Sequence, residues 1–146
     1  MDKSRSNLFN LGKDSLSMES NTEVYNIYFD QEINAVVMEW DGYATSSQFK
    51  EGTELMLNML IQNNSYKVLA DTKEMVLIGK EDQEWLDSQF LPRAIKFGFK
   101  AIAIIKPDHY FNKVAVESIF YKVDKDKLAI SLFDDVTEAR EWLKTK

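Results

Sequence analysis

Few residues in this chain have the type and spacing for chemistry, and most of them are aspartates. Asp41, Asp71, Asp108 and the pair Asp134–Asp135 each follow an apolar run. If those runs are parallel strands, the carboxylates share one sheet edge, where a hard divalent cation could collect several oxygen ligands. Helix capping and turn formation explain Asp108 and Asp135 one at a time, and the spacing matches no metal motif, so capping is the preferred reading. His109 is the single histidine. Its imidazole could act as a general base near neutral pH, but no Ser or Cys nucleophile can be placed beside it. A surface or cap-adjacent role is expected. Gly79-Lys80 lacks the upstream glycine and the following hydroxyl of a phosphate-cradling loop.

The richest segment is "KVLADTKEMVLIGKEDQEWL" over 67–86. An apolar strand runs into Asp71 and Thr72, a second apolar run "MVLIG" follows, and an acidic helix opens after Gly79. In an open α/β sheet the strand's C-terminal end is where ligands usually bind. Asp71, Thr72, Lys73, Met75, Val76, Leu77, Gly79 and Lys80 are therefore the candidate binding residues. Asp71 and Thr72 read as turn residues at the strand end, Thr72 bonding its own backbone. "EMVLIG" (74–79) is a binding patch if it faces solvent, and a loop packed over the sheet end if it does not.

Composition narrows the classes. The 146 residues suit one domain, with 45% hydrophobic and 29% charged residues. A net charge of −6 with no dense Lys/Arg run disfavours nucleic acid. The absence of cysteine excludes disulfides, thiol nucleophiles and thiolate metal sites, and it fits a cytoplasmic location. No apolar window is long enough to span a bilayer, and the N-terminus lacks a signal-peptide core.

The elements that would position these residues follow from pattern. Residues 1–21 read as a flexible arm with Phe9 and Leu11 as anchors, and 22–146 as the folded domain. "EVYNIYFD" (23–30) and "AVVMEW" (35–40) are strands joined by a link of hairpin length, so they should pair antiparallel. Thr45 and Gln48 have capping-box spacing for a helix over 46–63, with Phe49, Gly52, Met56, Met59 and Leu60 on one face. Gly52 in that face should allow close approach to the sheet. "YKVLAD" (66–71) is a central strand. A helix over 80–97 carries Trp85, Leu86, Phe90, Ala94 and Phe97, with a kink at Pro92 and a stop at Gly98. "KAIAII" (100–105) is a strand. A helix over 109–123, capped by Asp108, should turn Phe111, Ala115, Ser118 and Ile119 inward. "LAISLF" (128–133) is the last strand. Asp135 and Glu138 start a final helix over 136–145, with Val136, Ala139, Trp142 and Leu143 inward. The order β-β-α-β-α-β-α-β-α predicts an α/β fold, mostly parallel, with one antiparallel N-terminal strand.

This chain resembles the SpoIIAA-like members of the STAS fold, grouped with the Sec14-type lipid carriers. The resemblance rests on "EWDGYAT" (39–45), "KVLAD" (67–71), "WLDSQFLPRAIKFGFKAIAII" (85–105) and "SLFDDVTEAREWL" (131–143), and it covers roughly 23–145. It implies a stand-alone bacterial binding or regulatory module. Anti-anti-sigma relatives carry a phosphorylated serine in the loop after the third strand. Here "TKEMVLIGKED" (72–82) has no serine, and Thr72 is its only hydroxyl. Lys106-Pro107 lies too close to Asp71 for a phosphoryl-accepting receiver domain.

The expected function is a non-catalytic domain, with no cofactor, that binds a protein partner or small ligand through the 72–82 loop and the following helix start. The alternative is a carrier of an apolar small molecule or lipid, in a pocket between sheet and helix lined by Trp85, Phe90 and Phe111. A homodimer through the first strand's edge or the N-terminal arm is a further expectation.

Overall fold

The computed structural model describes residues 19–146, with side chains from Thr22 onward. The anchors Phe9 and Leu11 expected in the N-terminal arm lie outside the described residues. The last three residues assigned to that arm, Glu19–Asn21, form a strand, β1, antiparallel to β2 (Tyr25–Asp30). The β2 edge expected to mediate self-association is therefore paired with the chain's own β1 over Asn26–Tyr28.

β2 and β3 (Ala35–Gly42) form the expected antiparallel pair. From β3 the chain repeats helix and strand: α1 (Ser46–Gln62), β4 (Lys67–Met75), a broken helix over 80–96, β5 (Ala101–Ile105), α4 (Tyr110–Lys122), β6 (Ala129–Phe133) and α5 (Val136–Lys144). Among the described residues the six strands stand in chain order, and β3 through β6 are parallel.

That order places the helices unequally. Side chains of α1, of the broken helix and of α4 all join one core with Val36, Met38, Val68, Ala70 and Ile104. The other sheet face carries Val37 and Leu69 beside the small Ala35, Ala101 and Ala103, and α5 packs on it with Ala139 and Leu143. The alternation of even and odd residues along β4 is the strand's own two-residue period. On the final helix Val136 points to solvent at 42% exposure and Trp142 is only half-buried, so its inward face is narrower than expected.

Local chemistry sets the element ends. Thr45 Oγ1 accepts the Gln48 amide at 3.1 Å, and Gln48 Oε1 accepts the Thr45 amide at 2.9 Å, which completes the capping box. Asp135 Oδ1 accepts the Glu138 amide at 2.9 Å and caps α5. A Cβ built on Gly52 would sit 2.7 Å from Trp40 Cη2, so only glycine lets α1 reach the sheet there. The break at Pro92 has a definite form. α2 (Lys80–Trp85) passes into a π turn, Leu86–Phe90, before α3 (Leu91–Lys96). The Leu91 amide bonds the Leu86 carbonyl, five residues back. The following proline has no N–H to offer Ser88, so the ladder slips by one residue. Gly98, at φ +109°, ends α3 in a conformation that favours glycine.

Candidate functional site

β4 does not end at Asp71; it continues four residues further, to Met75. This changes the setting of the candidate residues. Asp71 and Thr72 are successive strand residues and so face opposite sides of the sheet. Asp71 is half-buried, and its Oδ1 accepts the Lys73 amide at 3.0 Å. Thr72 is buried under the helical layer, and its hydroxyl donates to the Ile105 carbonyl at 2.7 Å. It bonds the neighbouring strand rather than its own turn. Thr72 is thus spent on holding β4 to β5 and offers no accessible hydroxyl.

The "MVLIG" run divides. Met75 and Ile78 are buried, at 1% and 6% exposure, whereas Val76 and Leu77 are each 37% exposed. The division is made by Asn112 of α4, which is fully buried. Its Oδ1 accepts the Ile78 amide at 2.9 Å, and its Nδ2 donates to the Met75 carbonyl at 3.1 Å. The loop is thereby pinned with Met75 and Ile78 inward. Lys73 and Lys80 are exposed. Gly79 occupies the N-cap of α2 with an ordinary extended backbone, φ −66°.

The start of α2 holds a contact the sequence did not suggest. Asp82, buried in the first turn of α2, accepts the Ser46 hydroxyl of α1 at 2.6 Å. The carboxylate lies where two helix N-termini meet, and their dipoles favour a negative charge there. Thirty-six residues separate the pair, so no spacing rule could have found it.

Under the helical layer lies a cavity of about 90 Å³. Its floor is the row Met38–Ala70–Ile104, neighbours in register on β3, β4 and β5. Alanine at the centre of that row leaves the dip. Trp40, Phe49 and Met56 close one side; Leu86, Phe90 and Leu91, from the π turn and the start of α3, form part of the roof. Val116 and Ile119 of α4 close another side, and Met75 and Ile78 stand at the strand end. Thr53 and Thr72 bring the lining's only hydroxyls, and both are occupied by backbone carbonyls, Thr53 with Phe49 at 2.7 Å. A space this apolar has no partners for water and stays dry. Of the three side chains expected to line it, only Phe90 does. Trp85 packs behind, against Phe49 and Phe90.

Phe111 is 75% exposed, because α4 is rotated relative to the expected face. Its buried residues are Asn112, Ala115 and Val116, while Ser118 stays half-exposed. Tyr110, Phe111, Val114 and Tyr121 make a second apolar stripe, on the outer face. Asp108 does not cap the helix; His109 holds the cap position and makes no side-chain cap bond. Among the described residues no group of three His, Asp or Glu side chains converges, and no helix is long and apolar enough to cross a membrane.

Charged groups sit away from the cavity. Arg93 of α3 grips Glu54 of α1 with both guanidinium nitrogens, one at 2.8 Å. Arg140 of α5 spans Asp30, at 2.7 Å, and Glu32 of the β2–β3 link. Burial raises the Asp30 carboxyl, but Arg140 and nearby backbone amides outweigh it and hold the group below the usual aspartate value. Tyr28 is pushed up to about 12 by burial and then by Glu39.

Comparison with solved structures matches this architecture to an uncharacterized protein of the DUF3478 family from Shewanella loihica PV-4, described as having a SpoIIAA-like fold. The match covers 86% of this chain and 98% of that one, at a TM-score of 0.57 and 20% identity. This chain has the SpoIIAA-like fold. No protein-family model matches it, and no curated protein matches its sequence. At this identity the SpoIIAA-like likeness carries the fold and no activity.

Proposed function

We propose that this SpoIIAA-like domain is a non-catalytic binding module whose ligand is an apolar small molecule held in the cavity beneath α2–α4. The observation that supports this reading is the chemistry of the lining: apolar side chains throughout, with both hydroxyls already bonded to backbone. Natural cores are packed with few voids larger than a water molecule, so a dry space this size is unusual without an occupant. An engineered dry cavity of comparable order, about 150 Å³, takes up benzene.

Benzene titration followed by methyl NMR tests the reading. Shifts should concentrate at Met38, Ile104, Val116 and Ile119, and Ala70→Ile should remove them. Absence of any saturable shift in the wild type would count against it.

Val76 and Leu77 favour a second reading, a protein-docking surface on the β4–α2 loop, because two adjacent apolar side chains are each 37% exposed there. Val76→Lys with Leu77→Lys should then abolish capture of a partner from the native host while leaving the fold intact. Unchanged capture would remove that reading.

A further inference from the structure

Between the π turn and α4, beside the cavity, lies a second and much smaller hollow. It shares three walls with it, Leu91, Ile119 and Val123, and its outer rim is polar. Gln83 and Asp87 line the side of α2 and the π turn; Ser118 and Lys122 line the α4 side. Gln83 is committed, donating to the Ile78 carbonyl at 2.8 Å. Asp87 and Lys122 are both exposed, and among the described residues neither has a hydrogen-bond or ion-pair partner. The hollow thus has one free carboxylate and one free ammonium in its lining, on either side of the shared apolar residues Leu91, Ile119 and Val123.

Resting on the cavity reading, we propose that the ligand is a single-tailed amphiphile with a zwitterionic head, its tail in the cavity and its head between Asp87 and Lys122. An apolar cavity alone would accept any small hydrocarbon. The rim adds a requirement for both signs, because a head of one charge would be attracted by one helix and repelled by the other. Desolvating the tail supplies the affinity. The rim charges, being exposed, supply selectivity of modest size, a few-fold at most. The π turn suits this place: π turns are frequent at functional sites, and this one carries both Asp87 and the cavity residues Leu86 and Phe90.

The test is calorimetric titration with four probes: benzene, octanoate, octylamine and 2-aminooctanoate. The zwitterion should bind about threefold tighter than either singly charged chain. Asp87→Asn should weaken octylamine and 2-aminooctanoate, and Lys122→Met should weaken octanoate and 2-aminooctanoate. Benzene should bind all three proteins alike. Both substitutions are at exposed positions and leave the core intact. If benzene binds but the head-group preferences are the same in all three proteins, the rim assignment is wrong and the cavity reading stands. If benzene and every chain fail to bind the wild type, the cavity reading falls, and this proposal with it.

Discussion

Asn112 and Ile78 are bonded across 34 residues of chain, and this contact fixes which way the β4–α2 loop faces. The Asn112 amide satisfies the Ile78 N–H and the Met75 carbonyl at once, in a fully buried position. Every buried polar group needs such a partner, and an orphaned one costs more than a made bond contributes.

Asn112→Leu should therefore lower stability by about 2–4 kcal/mol, because two buried backbone groups lose their partner. Denaturant unfolding measures the loss. Hydrogen exchange at Ile78 should accelerate before global unfolding. Asn112→Asp replaces the amide donor with a carboxylate facing the Met75 carbonyl, and it should be no less damaging at neutral pH.

Gly52→Ala separates propensity from packing. In an exposed helix the change would stabilise by about 1 kcal/mol. Here the new methyl lies 2.7 Å from the Trp40 ring. Overpacking of this kind costs about 1–3 kcal/mol. The net effect should be destabilising, with a shift in Trp40 fluorescence, and a stabilised variant would contradict the close approach of α1 to β3.

Ala70→Ile should do the opposite. The side chain grows into the cavity between Met38 and Ile104. Filling a void commonly gains about 0.5–2 kcal/mol. A raised denaturation midpoint together with lost benzene binding is the expected pair of results.

Asp30 sets an acid limb. Its carboxyl titrates below the unfolded value because Arg140 and backbone amides hold the anion. Its contribution is present above the unfolded pKa and disappears as pH falls through the lower folded one. Asp30→Asn should flatten the pH dependence of unfolding in that acidic window. Tyr28 acts at the other end. Its folded pKa is raised to about 12, so its contribution is full below the unfolded tyrosine value and is lost as pH rises through the folded one. Absorbance titration with Tyr28→Phe as reference checks this.

The exposed pair on the loop should behave differently from its buried neighbours. Val76→Lys or Leu77→Lys should change stability by no more than about 0.5 kcal/mol. Met75→Lys, at a position 1% exposed, should prevent folding. Thermal melts of the three variants distinguish them.

Element order was legible because its signals are local. Capping chemistry at Thr45 and Asp135, the glycine at 52, the two-residue period of the strands and the missing N–H of Pro92 all act within a few residues, and each appears where pattern places it. The failures share a cause. α4 carries apolar residues on two faces, so periodicity cannot say which is inner. Phe111 reads as core by type and stands in solvent, while the polar Asn112 is the buried residue. β4 runs past Asp71 because β3 and β5 offer it backbone partners, and nothing in "DTKEM" announces that.

By itself the sequence determined a SpoIIAA-like succession of strands and helices, and it pointed to the 67–86 segment. Only the tertiary structure decided what that segment does. It separated Asp71 from Thr72 by the thickness of the sheet, spent the threonine hydroxyl on Ile105, and opened a dry space where Ala70 falls between two long side chains. A cavity is a sum of distant volumes, and a buried amide is satisfied by distant backbone. Neither is written in any short stretch of chain.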